Sequence, residues 1–245
     1  MASRAKLKKT LCIIDTCALV NLNNIELARR PLQKWLWKEF EITYSEAVLE
    51  EFRTFQHQMS FRENWDAHVW RFPYVSAYER AIFSSHQRLL EDKHCKQCRQ
   101  TTWKTEIFKP DLGDTKDRGE RYNCCIALNA ILEGEYSQII FLTDDLRAVR
   151  DYVARFFDIF SVGIAWSLLD LIAYLFTRYQ NNITLEEAKK ALRDVNTGLT
   201  SNNETLANQN DIRHGEYEKK QQRLINYYRK VEQIAQIFSQ LSGGR

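Results

Sequence analysis

The sequence predicts an α/β fold in which a parallel sheet is flanked by helices. The first observation is a pair of short apolar runs, Leu11–Ile14 and Ile139–Thr143, which are typical of buried parallel strands. The second is that segments with apolar residues at helical spacing alternate with these runs. The third is that the runs stop at acidic residues, Asp15 in one case and Asp144 and Asp145 in the other. Ligands of open α/β sheets bind at the carboxyl ends of the strands, so these carboxylates are candidate site residues.

The composition is that of a globular protein with a sizeable core. Hydrophobic residues make up 44% of the 245 residues, and charged residues make up 27%. Only 8 glycines and 3 prolines occur, which argues against long disordered linkers and favours helix. The formal net charge of +3 does not identify a partner, but a chain with this charge does not repel a polyanion overall.

The sequence predicts a cytoplasmic protein that does not enter a membrane. The stretch from Met1 to Lys9 is polar and basic, unlike a secretory signal. The longest apolar stretch, from Ile159 to Phe176, is interrupted by polar residues and is not expected to span a bilayer. The six cysteines are therefore expected to be reduced thiols.

The amino-terminal part is predicted to form a strand, a helix, a strand and a second helix. After the first strand, Thr16 is expected to cap a helix that continues through Leu22 and Leu27. A second strand is predicted from Phe40 to Thr43, and the next helix is predicted from about Ser45. The apolar side chains that share one face of this second helix are Val48, Phe52, Phe55 and Met59.

A long helical insertion, at about residues 57–114, separates these elements from the remainder of the domain. The elements expected afterwards are a loop at 104–118, a helix at 120–132, a strand at 139–143, a helix through 149–153 and a last strand at 157–162. The predicted domain spans residues 1–193 and is followed by a polar linker at 194–211. An amphipathic helix at 212–245 then needs a partner surface, either in its own domain or in another chain.

The acids that could form one site are Asp15, Glu51, Glu120, Asp144 and Asp145. At about 100° per residue of helix, Glu51 lies about 60° from Val48 and Glu50 about 160° from it, so Glu51 borders the buried face. Structural explanations also exist: a helix cap for Asp15, the helix dipole for Glu120, and a turn for the aspartate pair. Asp114 and Asp117 are alternatives to Glu120. Crowded carboxylates repel one another unless a cation joins them, and oxygen ligands suit Mg²⁺ or Mn²⁺. The sequence therefore predicts a metal-dependent hydrolase acting on phosphates.

Four motifs of the chain resemble those of the PIN-domain nucleases. They are Ile13-Ile14-Asp15-Thr16, Val48-Leu49-Glu50-Glu51-Phe52, Gly119-Glu120 followed by Ile126-Ala127-Leu128, and Leu142-Thr143-Asp144-Asp145. Their order and spacing look like the four acidic motifs of that family, over about residues 10–180. The resemblance implies a PIN-like fold and a divalent-metal-dependent nuclease. It implies in particular an endoribonuclease acting on single-stranded or structured RNA, and it leaves open whether single-stranded DNA is also a substrate.

The resemblance also assigns roles to residues. The catalytic residues it implies are Asp15, Glu51, Glu120 and Asp145. These four would hold Mg²⁺ or Mn²⁺ together with Asp144, a position at which only some members of the family have an acid. PIN proteins often form homodimers, and the toxin-like members are inhibited by a protein partner, for which the C-terminal helix is a docking candidate.

Two further groups of residues have both a functional and a structural interpretation. The basic residues Lys116, Arg118, Arg121 and Arg147 could contact phosphates, although a solvated surface explains them equally well. Cys95 and Cys98 form half of a zinc site, for which Cys124 and Cys125 are the obvious additional ligands. The helical core pattern around Cys124 favours a structural role instead.

Two other functional classes compete with the nuclease. A haloacid-dehalogenase-like phosphatase also begins with an apolar strand that ends in Asp, but it needs a second acid two residues later, where this chain has Cys17. The alternative from a different class is a catalytically silent PIN-like scaffold that binds RNA or a partner protein. The presence of acids at all four motifs argues against the scaffold.

Overall fold

The computed structural model describes residues 9–22, 24–56, 136–145, 163–204 and 213–243, and several residues between 119 and 131. Its strands are β1 (Lys9–Ile14), β2 (Glu26–Leu27), β3 (Arg30–Pro31), β4 (Glu41–Thr43), β5 (Tyr136–Leu142) and β6 (Ile164–Trp166). The helices with defined bounds are α1 (Thr16–Leu22), α2 (Leu32–Glu39), α3 (Glu46–Gln56), α4 (Leu168–Arg178), α5 (Leu185–Glu204) and α6 (Arg213–Gly243). The described residues of the 119–131 segment are also helical.

Four of the strands form one sheet in the order β4-β1-β5-β6. The central strand β1 runs parallel to both β4 and β5, with Ile13 opposite Thr43 on one side and Phe141 on the other. Strands that are buried on both faces must be apolar at every position, and Leu11–Ile14 is at most 1% exposed. The predicted α/β fold with a parallel sheet is confirmed.

One face of the sheet is covered by the 119–131 segment. Side chains of β1 and β5 that point to this face pack against small and aliphatic side chains of the helix. Side chains two residues apart in a strand lie on the same face of the sheet. The buried members of this cluster are Leu11, Ile13, Cys124, Ile126, Ala127, Ala130, Tyr136, Ile139 and Phe141. Cys124 therefore lies in the core, as the structural interpretation of that residue predicts. The other cysteines of the possible zinc site, Cys95, Cys98 and Cys125, lie outside the described residues.

The chain divides into two compact units. The first contains Met1–Leu19 and Phe40–Ala165, and the second contains Val20–Glu39 and Trp166–Arg245. The sheet core belongs to the first unit. The second unit combines a small hairpin and α2 with the three helices α4, α5 and α6.

The prediction of a first helix that continues to Leu27 is wrong. The helix ends at Leu22, and Leu27 instead pairs with Arg30 in an antiparallel hairpin. The two loop residues, Ala28 and Arg29, have φ values of 51° and 59°, the left-handed conformation that a two-residue hairpin turn requires at both positions. Leu27 is fully buried. Its spacing from Leu22 fits the buried face of a helix, but the residue is buried as part of a strand. The following helix, α2, was not predicted.

The strand predicted at 157–162 lies outside the described residues, as do the insertion at 57–114 and the helix through 149–153. The described strand that follows in the sequence is β6, at Ile164–Trp166. The strand beside β6 in the sheet, β5, corresponds to the strand predicted at 139–143, but it begins earlier, at Tyr136, and ends at Leu142.

The first part of the polar linker predicted at 194–211 is helical in the structure, because α5 continues to Glu204. The helix begins with a reciprocal cap in which Thr184 Oγ1 accepts from the Glu187 N–H, and Glu187 Oε2 accepts from the Thr184 N–H and hydroxyl. A buried stripe at helical spacing then extends into the polar stretch. Its members are Ala188, Ala191, Leu192 and Val195. Burial of this stripe outweighs the weak helix propensity of the Asn, Thr and Ser residues that follow it.

The C-terminal helix begins at Arg213, close to the predicted start, and it packs on α4 and α5 of its own unit. Leu224 and Val231 are buried. The Tyr227 hydroxyl donates to Asp170 Oδ1, and Lys189 Nζ lies 2.6 Å from Glu232 Oε1. The amphipathic face of α6 therefore has a partner surface in its own chain. In the described part of the chain, no helix is long and apolar enough to cross a membrane.

Replacement of Gly163 by alanine is expected to destabilise the first unit. A Cβ atom at Gly163 would lie 2.2 Å from the carbonyl oxygen of Ile139, so the backbone of β5 would have to move. Overpacking of this kind costs about 1–3 kcal/mol. Urea unfolding of Gly163→Ala measures the loss. Gly198→Ala, inside α5, is the control and is expected to be neutral or stabilising. Equal stability of Gly163→Ala and wild type would contradict the close approach.

Replacement of Tyr227 by phenylalanine is expected to loosen α6 by about 1 kcal/mol, because a hydrogen bond to a carboxylate is lost at a partly exposed position. Burial, together with the bond to Asp170, raises the pKa of Tyr227 from 10.0 to about 12. The bond therefore contributes fully below pH 10 and is lost as the pH rises through about 12.

The measurement is urea unfolding of wild type, Tyr227→Phe and Tyr228→Phe between pH 8 and pH 12. This range is set by the pKa of Tyr227, which is raised from 10.0 to about 12. The Tyr228 hydroxyl accepts only a long, exposed bond of 3.4 Å from Arg193, so its variant is the matched control. The difference between wild type and Tyr227→Phe should narrow at the alkaline end. A difference that is independent of pH would show that the hydrogen bond to Asp170 does not stabilise α6.

Candidate active site

Asp15 lies at the junction between the central strand and the first helix. Its backbone N–H donates to the Leu142 carbonyl of β5 at 3.0 Å, which continues the β1–β5 ladder by one residue. Its backbone carbonyl accepts the Leu19 N–H at 2.9 Å, which is the first hydrogen bond of α1. Asp15 is therefore the N-cap of the helix, and the prediction that Thr16 has this role is wrong.

The carboxylate of Asp15 is held by three donors. Its Oδ2 atom accepts from Thr143 Oγ1 at 2.9 Å and from Cys17 Sγ at 3.0 Å. The backbone N–H of Thr16 donates to the same carboxylate. Because Thr143 directly follows β5 and Cys17 is in α1, the carboxylate is fixed from two different elements.

Burial dominates the electrostatics of this carboxylate. Asp15 is 4% exposed, and its loss of hydration raises the pKa above the ordinary value, with a further increase from the nearby charge of Glu51. The hydrogen bonds act in the opposite direction but do not cancel the effect of burial. Burial also raises the pKa of the Cys17 thiol, as do the charges of Asp15 and Asp144, so the thiol stays protonated and donates.

Glu51 approaches the site from α3. Its Oε2 atom accepts a hydrogen bond of 2.6 Å from Thr16 Oγ1, although the residue as a whole is exposed. Gly119 of the helical segment lies against the same carboxylate, since a Cβ atom there would be 3.5 Å from Glu51 Oε1. Thr16 thus links the first acid to the second: its backbone contacts Asp15 and its hydroxyl contacts Glu51. The neighbouring Glu50 is also exposed.

Asp144 and Asp145 follow β5 at the same edge of the sheet. The Asp144 N–H donates to Cys17 Sγ at 3.3 Å, and the Asp145 N–H donates to Thr143 Oγ1 at 3.0 Å. Asp144 is half-buried and near enough to raise the pKa of the Cys17 thiol, whereas the Asp145 side chain is exposed. The two residues that hold the Asp15 carboxylate therefore also hold the backbone of the aspartate pair.

The structure places four of the five predicted acids at the carboxyl edge of the sheet: one directly after β1, one on α3 and two shortly after β5. The fifth, Glu120, lies outside the described residues, next to Gly119. The other predicted site residues outside the described part are the alternative acids Asp114 and Asp117 and the basic residues Lys116, Arg118, Arg121 and Arg147. Within the described ranges, no three His, Cys, Asp or Glu side chains form a metal-binding group.

The donor chemistry at this edge fits a hard divalent cation. Asp15 and Glu51 offer carboxylate oxygens that both contact Thr16, and the charge of Glu51 contributes to the raised pKa of Asp15. A cation would remove that repulsion, and Mg²⁺ is commonly held by one or two carboxylates with water completing its coordination. The residues that could hold such an ion are Asp15 and Glu51, with Asp144 and Asp145 at the same edge.

Sequence reasoning missed three residues that organise the site. Cys17 was considered only as a departure from the phosphatase pattern, and Thr143 only as part of the last motif. Asn123 is fully buried, and its amide bonds to the backbone of Ile14 and Ser45. A polar residue inside the apolar stripe of a predicted helix was the signal that could have identified Asn123.

Comparison of the chain with protein-family models, with curated proteins and with solved structures finds no match. The fold and the geometry of the sheet edge therefore carry the functional argument.

Replacement of Thr143 by valine is expected to destabilise the protein by about 1–3 kcal/mol, the cost of leaving buried polar groups without a partner. Thr143 is fully buried and connects the Asp15 carboxylate to the Asp145 backbone, and valine keeps its shape without the hydroxyl. Urea unfolding at neutral pH measures the change. Thr143→Ser keeps the hydroxyl and should recover most of the loss. If the serine variant were as unstable as the valine variant, the methyl group rather than the hydroxyl would be the stabilising feature.

Proposed function

We propose that the protein is a divalent-metal-dependent nuclease that hydrolyses phosphodiester bonds, and that it is an endoribonuclease acting on single-stranded or structured RNA. The observation that carries the proposal is the pairing of two carboxylates at the carboxyl edge of a parallel sheet. Asp15 is buried there, and the charge of Glu51 adds to the cost of ionising it. A divalent cation bound to both carboxylates would offset that cost, and carboxylate oxygens are ligands that Mg²⁺ takes.

The resemblance to PIN-domain nucleases supports the same proposal. That family combines a parallel sheet with acids in four motifs, and this chain has a parallel sheet with Asp15, Glu51, Asp144 and Asp145 at one edge. We propose Asp15, Glu51, Glu120 and Asp145 as the catalytic acids and include Asp144 among the metal ligands. Lys116, Arg118, Arg121 and Arg147 are the proposed phosphate contacts.

In the proposed mechanism the protein supplies position and charge. Thr143 and Cys17 donate to one oxygen of Asp15 and so fix the rotation of its carboxylate, while the Thr16 hydroxyl orients Glu51. When bound, Mg²⁺ or Mn²⁺ would supply the Lewis acid that offsets negative charge developing on the scissile phosphate.

The experiment that tests the proposal is cleavage of labelled single-stranded RNA, a bulk tRNA pool and single-stranded DNA with Mn²⁺, Mg²⁺ or EDTA. Wild type should cleave RNA only with a divalent ion. Asp15→Asn should lower the rate by about 100-fold or more, since losing a metal ligand is at least as severe as losing a residue that orients one. The fold should survive this change because it removes a buried charge rather than a buried contact.

The adjacent glutamates of α3 provide a matched pair of variants. Glu51→Gln removes the charge beside Asp15 and should reduce cleavage by about 10–100-fold. Glu50→Gln makes the same chemical change one residue earlier and should leave cleavage near the wild-type rate. Equal effects of the two variants would contradict a specific role for Glu51. If wild type and Asp15→Asn are equally inert while both bind RNA, the silent scaffold replaces the nuclease.

The remaining expectations stay predictions. They are a cytoplasmic location, a homodimer, single-stranded DNA as a further substrate, and an inhibitory protein that binds the C-terminal helix. For the last of these, the described part of α6 offers four exposed apolar side chains. They are Ile225, Ile237, Phe238 and Leu241.

A further inference from the structure

The ladder between β1 and β4 stops one step before the candidate site. Its last paired residues are Ile13 and Thr43. Continued in the same register, Ile14 would lie opposite Tyr44, and the N–H of Ser45 would donate to the Ile14 carbonyl, as the slanted bonds of a parallel pair require. The structure does not make this bond directly.

The side-chain amide of Asn123 is inserted between those two backbone groups. Asn123 Nδ2 donates to the Ile14 carbonyl at 3.2 Å, and Asn123 Oδ1 accepts from the Ser45 N–H at 3.0 Å. The residue is fully buried. One carboxamide therefore makes two hydrogen bonds where a continued ladder would make one. It also separates the end of β1 from the segment that follows β4 by its own width, at the point where both leave the sheet.

The two backbone segments that Asn123 separates lead to the two acids of the candidate site, Asp15 and Glu51. Ile14 is followed by Asp15. Ser45 begins α3, since its carbonyl accepts the Leu49 N–H at 3.1 Å, and this helix carries Glu51. The separation between the end of β1 and the start of α3 therefore contributes to the distance between the carboxylates of Asp15 and Glu51, together with the bond from Thr16 Oγ1 to Glu51 Oε2.

We infer that Asn123 is a positioning residue, whose amide holds β1 and α3 apart at the spacing in which Asp15 and Glu51 bind a divalent cation together. The inference rests on the proposed function, because it assigns Asn123 to the metal site of that function. Asn123 is three residues after Glu120, so the segment that carries the proposed third acid also sets the spacing of the first two.

The amide is matched to this position because it combines one donor and one acceptor at a fixed separation. Aspartate has the same shape but would place a carboxylate oxygen against the Ile14 carbonyl, with no donor. Alanine removes the spacer and lets the Ser45 N–H reach the Ile14 carbonyl directly. Glutamine keeps both groups at the end of a longer side chain and would change the spacing while preserving the bonds.

The test measures binding of Mn²⁺ alone, by calorimetry, to wild type, Asn123→Ala, Asn123→Gln and Asn123→Asp, with thermal unfolding of each metal-free protein. Asn196→Ala is the matched control, because Asn196 is also a buried asparagine, 7% exposed, in α5 of the second unit. We expect the Mn²⁺ dissociation constant to rise about tenfold or more in Asn123→Ala and Asn123→Gln, the range seen when a residue that orients a metal ligand is removed. Asn196→Ala should lose stability without a change in Mn²⁺ affinity.

The outcomes separate this inference from the proposed function. Unchanged Mn²⁺ affinity in Asn123→Gln, or in a folded Asn123→Ala, overturns the positioning role even if wild type cleaves RNA. A wild type that binds Mn²⁺ but cleaves no nucleic acid overturns the nuclease, while the dissociation constants of the Asn123 variants still decide the positioning role. A wild type that binds no Mn²⁺ overturns both. If Asn123→Ala does not fold, Asn123→Gln decides.

Discussion

The arrangement of the first unit depends on one constraint, the burial of the Asp15 carboxylate at the end of the central strand. A buried carboxylate needs donors, and here the donors come from both sides of the junction: Thr143 beyond β5, and Thr16 and Cys17 at the start of α1. Satisfying Asp15 therefore fixes where β5 ends and where α1 begins. The same donors continue to the backbone of Asp144 and Asp145, so the aspartate pair is positioned as a consequence.

The parts of the fold that could be predicted are those in which a local pattern has one low-energy solution. The fully apolar run Leu11–Ile14 can be buried on both faces only inside a sheet, and the structure places it there. The hairpin at Leu27 could not be predicted in this way, because its turn uses Ala28 and Arg29 in left-handed conformations at a cost of about 1–2 kcal/mol each. That cost is offset by tertiary contacts, including the bond from Trp35 Nε1 to the Leu27 carbonyl at 2.9 Å.

Some features of the candidate site could be predicted from the sequence, and others could not. The positions of Asp15 and of Asp144 and Asp145 follow from strand topology alone, because parallel strands bring their carboxyl ends to one edge. The contact between Glu51 and Thr16 joins residues 35 positions apart, and helical phase could indicate only the direction of the glutamate. Asn123 bridges Ser45, which is 78 positions away in the sequence, and Ile14, which is 109 positions away. The bridge lies where two neighbouring strands diverge, and no local sequence pattern encodes that point. Contacts of that kind depend on register, and register is a property of the whole sheet.

The acids of the second unit show why the sheet edge is the better candidate for chemistry. Asp170 accepts from the Ser167 N–H and hydroxyl and from Tyr227, and these bonds cap α4 and anchor α6. Glu39 accepts from the hydroxyls of Tyr174 and Tyr179. Glu39 is also paired with Arg178, whose Nε atom lies 3.8 Å from Glu39 Oε2. Hydroxyl, backbone and guanidinium donors of this kind are sufficient to explain both carboxylates as structural. Asp15 also has neutral donors, but the charge of the exposed Glu51 adds to the cost of ionising this buried carboxylate, because like charges repel. A divalent cation would turn that repulsion into attraction, so the unfavourable charge beside Asp15 is the feature that supports the proposed metal-dependent function.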